Sequence, residues 1–498
     1  MRDRGNQIEL SASDLVGFLN CDHFTTLDLK VVSGELSKPT TYDPFLEILR
    51  ERGFRHEHGF IERLNQLGLS TETVEGVGIE DASVAETIDA MGRGVDVIIQ
   101  GALRAGQWAG RSDVLRRIET PSRFGSWSYE VYDTKLARET KGGTVLQLCL
   151  YSDLLAATQE AQPENAYVVV PWSDYDPQAF RMADFGAYYR RAKSALERAC
   201  KFGADTTYPE PTLHCDICRW CDLCEKRRRN DDHLSYVAGI TTNQMMELRE
   251  IGIDTLGKFA TMTPETGWKP QRGTLLSIER SKEQARIQFE ARTQGVPKFE
   301  LLPPTPGFGL ASLPEPNEGD IFFDIEGDPF VGEHGLEYLF GYSFKGSPSE
   351  ATHVSDWAFD RASEKKIFEH FVDFVIDRLK NYPDLHIYHF APYEPAALKR
   401  LMGRYASREN EVDRLLRGNV FVDLYGVVRN SIRASVESYS IKRLEQFYGY
   451  VRDVPLREAN GALSSLQAAI ELDDVNSISQ GEKDVVSQYN RDDCLSTM

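Results

Sequence analysis

Apolar positions in this chain switch repeatedly between a period near two and a period near 3.6, the pattern of strands alternating with amphipathic helices. Residues 43 to 66 read as a helix, the runs at 95 to 119 and 126 to 136 as strands, 144 to 159 as an apolar helix and 166 to 171 as a further strand. From 236 to 300 the pattern is helical and polar. Downstream, IFFDIEGD, LHIYHF and NVFVDLY read as short buried strands separated by amphipathic helices. Between these regions, LLPPTPGFGLASLPEPNEGD at 301 to 320 holds five prolines and three glycines, which deny both helix and ladder hydrogen bonds. The pattern predicts two α/β domains joined by a helical connector and a linker, with no internal repeat.

Composition narrows the partners. The 498 residues suffice for about two to four domains. Lys plus Arg number 57 and Asp plus Glu 77, a net charge of -20. Residues 319 to 498 hold 20 basic against 30 acidic side chains, so each part of the chain carries -10. A polybasic, histone-like binder is excluded, and any nucleic-acid contact has to be local or metal-assisted. No apolar run approaches a membrane span, and the opening MRDRGNQIELSASDLVGFLN lacks the apolar core of a signal peptide, so the expectation is a cytoplasmic protein without a membrane partner. Of eight cysteines, Cys215, Cys218, Cys221 and Cys224 crowd into ten residues, whereas Cys21, Cys149, Cys200 and Cys494 lie apart. In a reducing compartment such a cluster predicts metal before disulfides.

In YEVYDTKLA, strand alternation puts Asp133 and Lys135 on one face, beside a strand carrying Asp113 in GRSDVL. Two carboxylates and a lysine suit Mg²⁺ or Mn²⁺ and phosphodiester hydrolysis. The helix VLQLCLYSDLL places Gln147 and Tyr151 four apart on one face. His56 in RERGFRHEHGF offers an imidazole ligand, with Glu57 and His58 competing for the role.

In order and spacing these residues resemble the RecB-type nucleases of the PD-(D/E)xK superfamily, in the branch with an iron-sulfur cluster, over residues 8 to about 235. The resemblance implies a restriction-endonuclease-like domain at 1–235. It implies metal ligation by His56, Asp113 and Asp133, a catalytic Lys135, and support of the site or the DNA by Gln147 and Tyr151. It also implies a 4Fe-4S cluster on Cys21, Cys215, Cys218 and Cys224. Cys221 is the alternative fourth ligand, and zinc on the four clustered cysteines the alternative metal.

Following the cysteines, EKRRR brings Arg227, Arg228 and Arg229, candidates for phosphate contacts or a solvated helix face. The connector's VAGITTNQMMELREIGIDTLGKFATM resembles a helix-hairpin-helix module, whose turn amides approach phosphates; an ordinary helical connector is the other reading. Gly252 to Lys258 spells G-x4-G-K, but Phe259 stands where Ser or Thr is needed, so no ATP site is expected there.

The second constellation begins in IFFDIEGDPF. Asp324 and Glu326 alternate onto one strand face with Phe322, opposite Ile321, Phe323 and Ile325. In YNRDDC, Tyr489 and Asp493 share a helical face, where a phenol could position attacking water. Glu394 in HIYHFAPYEPAAL and Asp423 in NVFVDLY lie between. This order resembles the DEDD exonucleases of the ribonuclease H-like fold, most closely the YprB-type domain, over 319–498. The resemblance implies metal binding by Asp324, Glu326, Glu394 and Asp493, with Tyr489 as the third motif's tyrosine. SIKRLEQFYG at 440 to 449 is similar to the family's helix before that motif. The family's usual second-motif Asp is Glu394 here, and Asp423 is the substitute candidate.

The expected organisation is thus a RecB-like domain at 1–235, a helical connector at 236–300, a linker at 301–318 and a ribonuclease H-like domain at 319–498. The expected function is a metal-dependent nuclease, a DNA exonuclease on single strands or ends in repair or processing, with RNA also open as substrate. By resemblance, a helicase would follow in the same longer chain. A non-catalytic nucleic-acid-binding module is the competing class.

Overall fold

A computed structural model describes the chain except residues 6, 40–43, 77, 137–141, 171–172, 203–206, 264–267, 333, 347–350 and 472, and except the side chains of 44–49 and 202. The expected helix start at 43 and strand end at 171 therefore lie outside the described residues. Two units divide the chain, Met1–Arg227 and Arg228–Met498. No described helix is long and apolar enough to cross a membrane.

The first unit contains α1 (Ala12–Asn20), α2 (Asp22–Val32), α3 (Pro44–Gln66), α4 (Asp81–Arg93), α5 (Gly142–Gln159), α6 (Met182–Phe202) and the start of α7 (Cys221–Asn230). β1 (Arg2–Asp3) and β2 (Ile8–Glu9) form a short pair. The main sheet comprises β3 (Thr71–Thr73), β4 (Val97–Ala105), β5 (Trp108–Ile118), β6 (Ser128–Thr134), β7 (Asn165–Val169) and β8 (Gln178–Arg181), adjacent in that order. β3 with β4 and β6 with β7 are parallel, and the other neighbours antiparallel. The run read as strand from 95 to 119 is a hairpin, turned where Gly106 supplies a φ of +59°. Period-two alternation then splits the sheet's apolar residues between two layers. Ile98, Leu115, Val131 and Val168 pack under α5 with Leu146 and Leu150, while Val97, Val114, Tyr132 and Val169 meet Phe60 and Leu64 of α3.

The second unit opens with α8 (Thr242–Glu250), α9 (Leu256–Thr261) and α10 (Leu275–Gln294), which share a core of Leu248, Phe259, Ile278 and Ala285. The Pro- and Gly-rich stretch expected as a free linker is laid onto this unit. β9 (Phe299–Leu301) pairs antiparallel with β15 (Ile432–Ala434). Leu302 N donates to Ser431 O at 2.7 Å, and Leu310 N to Ser431 Oγ at 2.6 Å.

A five-stranded sheet follows, built from β10 (Ile321–Asp328), β11 (Leu336–Lys345), β12 (Ala351–Trp357), β13 (Ile387–His389) and β14 (Phe421–Asp423). Its spatial order is β12-β11-β10-β13-β14, antiparallel among the first three and parallel from β10 to β14. Ile321, Phe323 and Ile325 enter the core against Phe368, Phe371 and Val375 of α11 (Arg361–Asn381). Phe322, Asp324 and Glu326 therefore face the other side. There α17 (Gln480–Thr497) crosses β10 and β11. The remaining helices are α12 (Tyr393–Tyr405), α13 (Glu409–Arg417), α14 (Leu424–Ser431), α15 (Ile441–Tyr448) and α16 (Leu456–Glu471).

Candidate metal centres

On β10, alternation carries Asp324 and Glu326 to the face beneath α17, whose 3.6-residue turn sets Tyr489, Asn490 and Asp493 toward the strand. One carboxylate oxygen from each of Asp324, Glu326 and Asp493 lies within 4.8 Å of the others. Six-coordinate Mg²⁺ at about 2.1 Å per ligand needs donor oxygens roughly 3 to 4 Å apart, so the set fits one hard cation. Burial, then the neighbouring Asp493 carboxylate, pushes the Glu326 carboxyl up to about 8. Burial and the same neighbour raise Asp324 well above the carboxylate range. Such mutual repulsion is what a divalent ion relieves.

Three side chains that sequence reading did not single out brace this set. Asn490 donates from Nδ2 to Asp324 Oδ2 at 2.7 Å and to the Asp324 carbonyl at 3.2 Å. Arg452 NH2 lies 2.6 Å from Asp493 Oδ1 and 2.6 Å from Glu445 Oε1. Lys442 Nζ donates to Asp493 Oδ2 at 3.2 Å and stands 5.0 Å from the Tyr489 ring centre. The signals were local: Asn490 follows Tyr489 directly, and Lys442 belongs to SIKRLEQFYG.

The second motif divides its two candidates. Glu394, in the first turn of α12, is buried, and its Oε2 has no hydrogen bond. That oxygen is 3.4 Å from Nδ1 of His389, but Nδ1 donates instead to Ala391 O at 2.6 Å. Glu394 is close enough to Asp324 to raise its pKa, yet it falls outside the 4.8 Å set. Asp423 Oδ1 accepts from the backbone N–H of Ala391 and of Tyr425, each at 3.0 Å, capping α14. Its position is accounted for by that cap.

In the first unit, Val114 pairs with Tyr132, so Asp113 and Asp133 lie one step further along neighbouring strands. Asp133 is fully buried; Lys135 Nζ is 2.7 Å from its Oδ2, and Gln147 Nε2 donates to its Oδ1 at 3.2 Å. Gln147 also reaches the Tyr151 hydroxyl at 3.3 Å. Asp133 Oδ2 lacks a hydrogen bond of proper geometry, an acceptor left over for a cation. Burial, then Asp113, pushes the Asp133 carboxyl up to about 7. Asp113 Oδ2 accepts from Thr134 N at 2.8 Å and Thr134 Oγ1 at 2.9 Å. His56 donates from Nε2 to Val169 O at 2.9 Å, which leaves Nδ1 as the acceptor of the neutral ring. Tyr175 stacks on that ring at 5.5 Å. Glu57 accepts from Gln100 Nε2 at 2.5 Å, and burial and Asp113 raise its pKa. Gln100 itself holds a φ of +55° at a break in the β4–β5 ladder opposite Asp113. His56, Asp113 and Asp133 do not form a set within 4.8 Å of the kind found in the second unit.

Cys21, Cys218 and Cys224 pack around Phe24, Leu27 and Trp220, and burial first, then Cys21 and Cys215, raise the pKa of the Cys218 thiol. Backbone N–H groups point at two sulfurs, Thr212 N at 3.3 Å from Cys215 Sγ and Trp220 N at 3.5 Å from Cys218 Sγ. Of the three arginines, Arg227 stacks on Tyr208, and Arg228 is buried. Arg229 forks onto Glu437, with NH2 to Oε2 at 2.9 Å, and lies 4.0 Å over Tyr236. The helix therefore does not present them as one exposed phosphate-gripping stripe. The α8–α9 turn is likewise committed internally. Gly252 N bonds Arg249 O, Ile253 N bonds Leu248 O, and Gly257 N bonds Asp232 Oδ2 at 2.8 Å, so these amides are not presented to phosphates.

A family model described as the RNase_H superfamily matches residues 321–498. No curated protein matches the chain. The matched span contains the five-stranded sheet, α17 and the acidic set, in a superfamily whose members hydrolyse phosphodiester bonds, characteristically with Mg²⁺ or Mn²⁺ at such a cluster. The C-terminal region of this mixed α/β chain is a ribonuclease H-like domain.

Proposed function

We propose that the chain is a metal-dependent nuclease, with an exonuclease centre of the DEDD type in the ribonuclease H-like domain. The observation that carries this reading is the convergence of Asp324, Glu326 and Asp493 within 4.8 Å, beneath a helix that also brings Tyr489. Asp324, Glu326 and Asp493 would hold Mg²⁺ or Mn²⁺, with Glu394 near enough to raise both Asp324 and Glu326 but outside that set. Bound there, the ion supplies charge stabilisation at the scissile phosphate. Asn490 and Arg452 fix the carboxylates, and the Tyr489 phenol orients the attacking water.

The first unit is read as a RecB-like PD-(D/E)xK centre. The buried Asp133 carboxylate paired with Lys135 at 2.7 Å supports that reading, as does His56, whose Nε2 bond to Val169 O leaves Nδ1 as the ring's acceptor. A 4Fe-4S cluster on Cys21, Cys215, Cys218 and Cys224 is part of the same proposal. A tetrahedral zinc thiolate site would hold its sulfurs about 3.8 Å apart. Zinc on the clustered cysteines is the alternative occupant, and the metal content of the purified protein decides between the two. The substrate we assign is single-stranded DNA or DNA ends, in repair or processing, with a helicase partner in a longer chain.

Cleavage of an end-labelled single strand that requires Mn²⁺ and is reduced in Asp324→Asn supports the exonuclease centre; equal cleavage by the two proteins removes it. Glu394's position outside the acidic set favours a second reading, a domain that grips nucleic acid without cutting. Mn²⁺-dependent binding with no Asp324-dependent product would support that reading.

A further inference from the structure

Both oxygens of Asp493 are engaged by cations, and the two cations differ in kind. Arg452 is buried, its side chain 8% exposed, and forks between Asp493 and Glu445. It is a fixed brace. Lys442 is 30% exposed; it donates to Asp493 Oδ2 at 3.2 Å and also interacts with Tyr489, its ammonium 5.0 Å from that ring's centre. An ammonium has three N–H donors, so Lys442 has donors to spare on its solvent side. It is also the second residue of α15, at the helix end where the macrodipole disfavours a cation. Helix stability does not explain its placement, whereas the acidic set does.

We infer that Lys442 is a substrate-contacting catalytic residue, which releases Asp493 Oδ2 when a divalent ion takes the acidic set and grips a non-bridging oxygen of the scissile phosphodiester. The inference rests on the metal-dependent reading above. In the ion-free protein Lys442 holds the place of a cation at Asp493. With Asp324, Glu326 and Asp493 engaged by the ion, Lys442 keeps Tyr489 beside it and an exposed side on which the phosphodiester of the proposal would dock. No bond is made or broken by Lys442; it moves from one anion to another and remains protonated.

The test uses the full chain and two measurements besides cleavage. The first is the salt dependence of binding, in Ca²⁺, to labelled single-stranded DNA and RNA oligonucleotides. Lys442→Ala should flatten the slope of log K against log salt by about 0.7 for at least one of them, the signature of one lost phosphate contact on a single strand, while Lys442→Arg retains it. The second is Mn²⁺ affinity without nucleic acid, followed by electron paramagnetic resonance. Lys442→Ala should bind Mn²⁺ several-fold more tightly, because a competing cation is gone. Unchanged slopes, or weakened Mn²⁺ binding, overturn the inference and leave Lys442 a brace for Asp493. Asp324→Asn separates the two levels. If its Mn²⁺ binding matches wild type, the metal-centre reading fails and the role of Lys442 fails with it. If less Mn²⁺ is bound there than by wild type while the Lys442→Ala slopes are unchanged, only the role of Lys442 is lost.

Discussion

Asn490 donates from Nδ2 to Oδ2 of Asp324 at 2.7 Å, tying α17 to the strand that supplies the first two acidic residues. The approach is possible because Gly341 faces it. A methyl group at Gly341 would lie 1.4 Å from Asn490 Oδ1. Gly341→Ala should therefore force α17 outward and destabilise the unit by about 1 to 3 kcal/mol, the usual range for overpacking. Asn490→Ala should cost about 1 to 3 kcal/mol through the buried partner it strands, and should weaken Mn²⁺ binding as well. Denaturant melts of the two variants check the first effect and Mn²⁺ titration the second; an Asn490→Ala variant with wild-type stability and metal affinity contradicts the bracing role.

The raised carboxyls give a pH dependence of definite sign. Asp133 titrates at about 7 and Glu326 at about 8 in the folded, metal-free protein, each raised first by burial. Unfolded carboxyls titrate near 4, so between about pH 4 and 8 the folded state holds protons that the unfolded chain has released. Stability of the metal-free protein should fall as pH rises through that window. A divalent ion at the carboxylates displaces those protons, and its stabilising effect should grow with pH. Melting temperatures with chelator and with Mn²⁺, measured from pH 5 to 8.5, should diverge; parallel curves count against both centres.

Lys135 lies 2.7 Å from Asp133 Oδ2, and its pKa is raised despite burial because Asp133 and Asp113 favour its charge. Lys135→Ala should leave Asp133 and Asp113 facing each other without a cation, lowering Asp133-dependent cleavage by 10²-fold or more, about the range for loss of one positioned charge-stabilising group. Lys135→Arg should restore folding stability without restoring the rate, since a planar guanidinium cannot occupy the same point. Equal rates in wild type and Lys135→Ala, with Asp493 substituted in both, would show that the first centre does not cut.

The cysteine proposal has a colour. Protein purified without oxygen should be brown and carry about four irons per chain. Cys21→Ser and Cys218→Ser should bleach it. Cys224→Ser should do the same while Cys221→Ser does not, and the reverse pattern would exchange the fourth ligand. Colourless protein containing zinc would overturn the cluster.

Much of the fold was legible because it is local. The alternation around Ile98 and Leu115, the apolar helix from 144 to 159, and the split of Ile321, Phe323 and Ile325 from Asp324 and Glu326 are period signals that survive into the structure. What the sequence withheld depends on partners distant in the chain. Nothing in LLPPTPGFGL announces that Leu302 and Leu310 bond Ser431. Arg228 reads as surface charge until its burial is seen, and the Ala391 and Tyr425 amides that hold Asp423 Oδ1 are not visible in the sequence. Glu57 could not be weighed against His56 without Gln100, whose amide donates to it from a distant strand.

The measurement that tests the two-centre account most directly is a time course of end-labelled single-stranded DNA with Mn²⁺, comparing wild type, Lys135→Ala, Asp493→Asn and the double variant. Cleavage by wild type that each single substitution reduces and the double substitution abolishes, with all four proteins folded, is the predicted result. A double variant that cuts like wild type, or a wild-type protein that binds the strand and leaves it intact in Mn²⁺, would contradict the account.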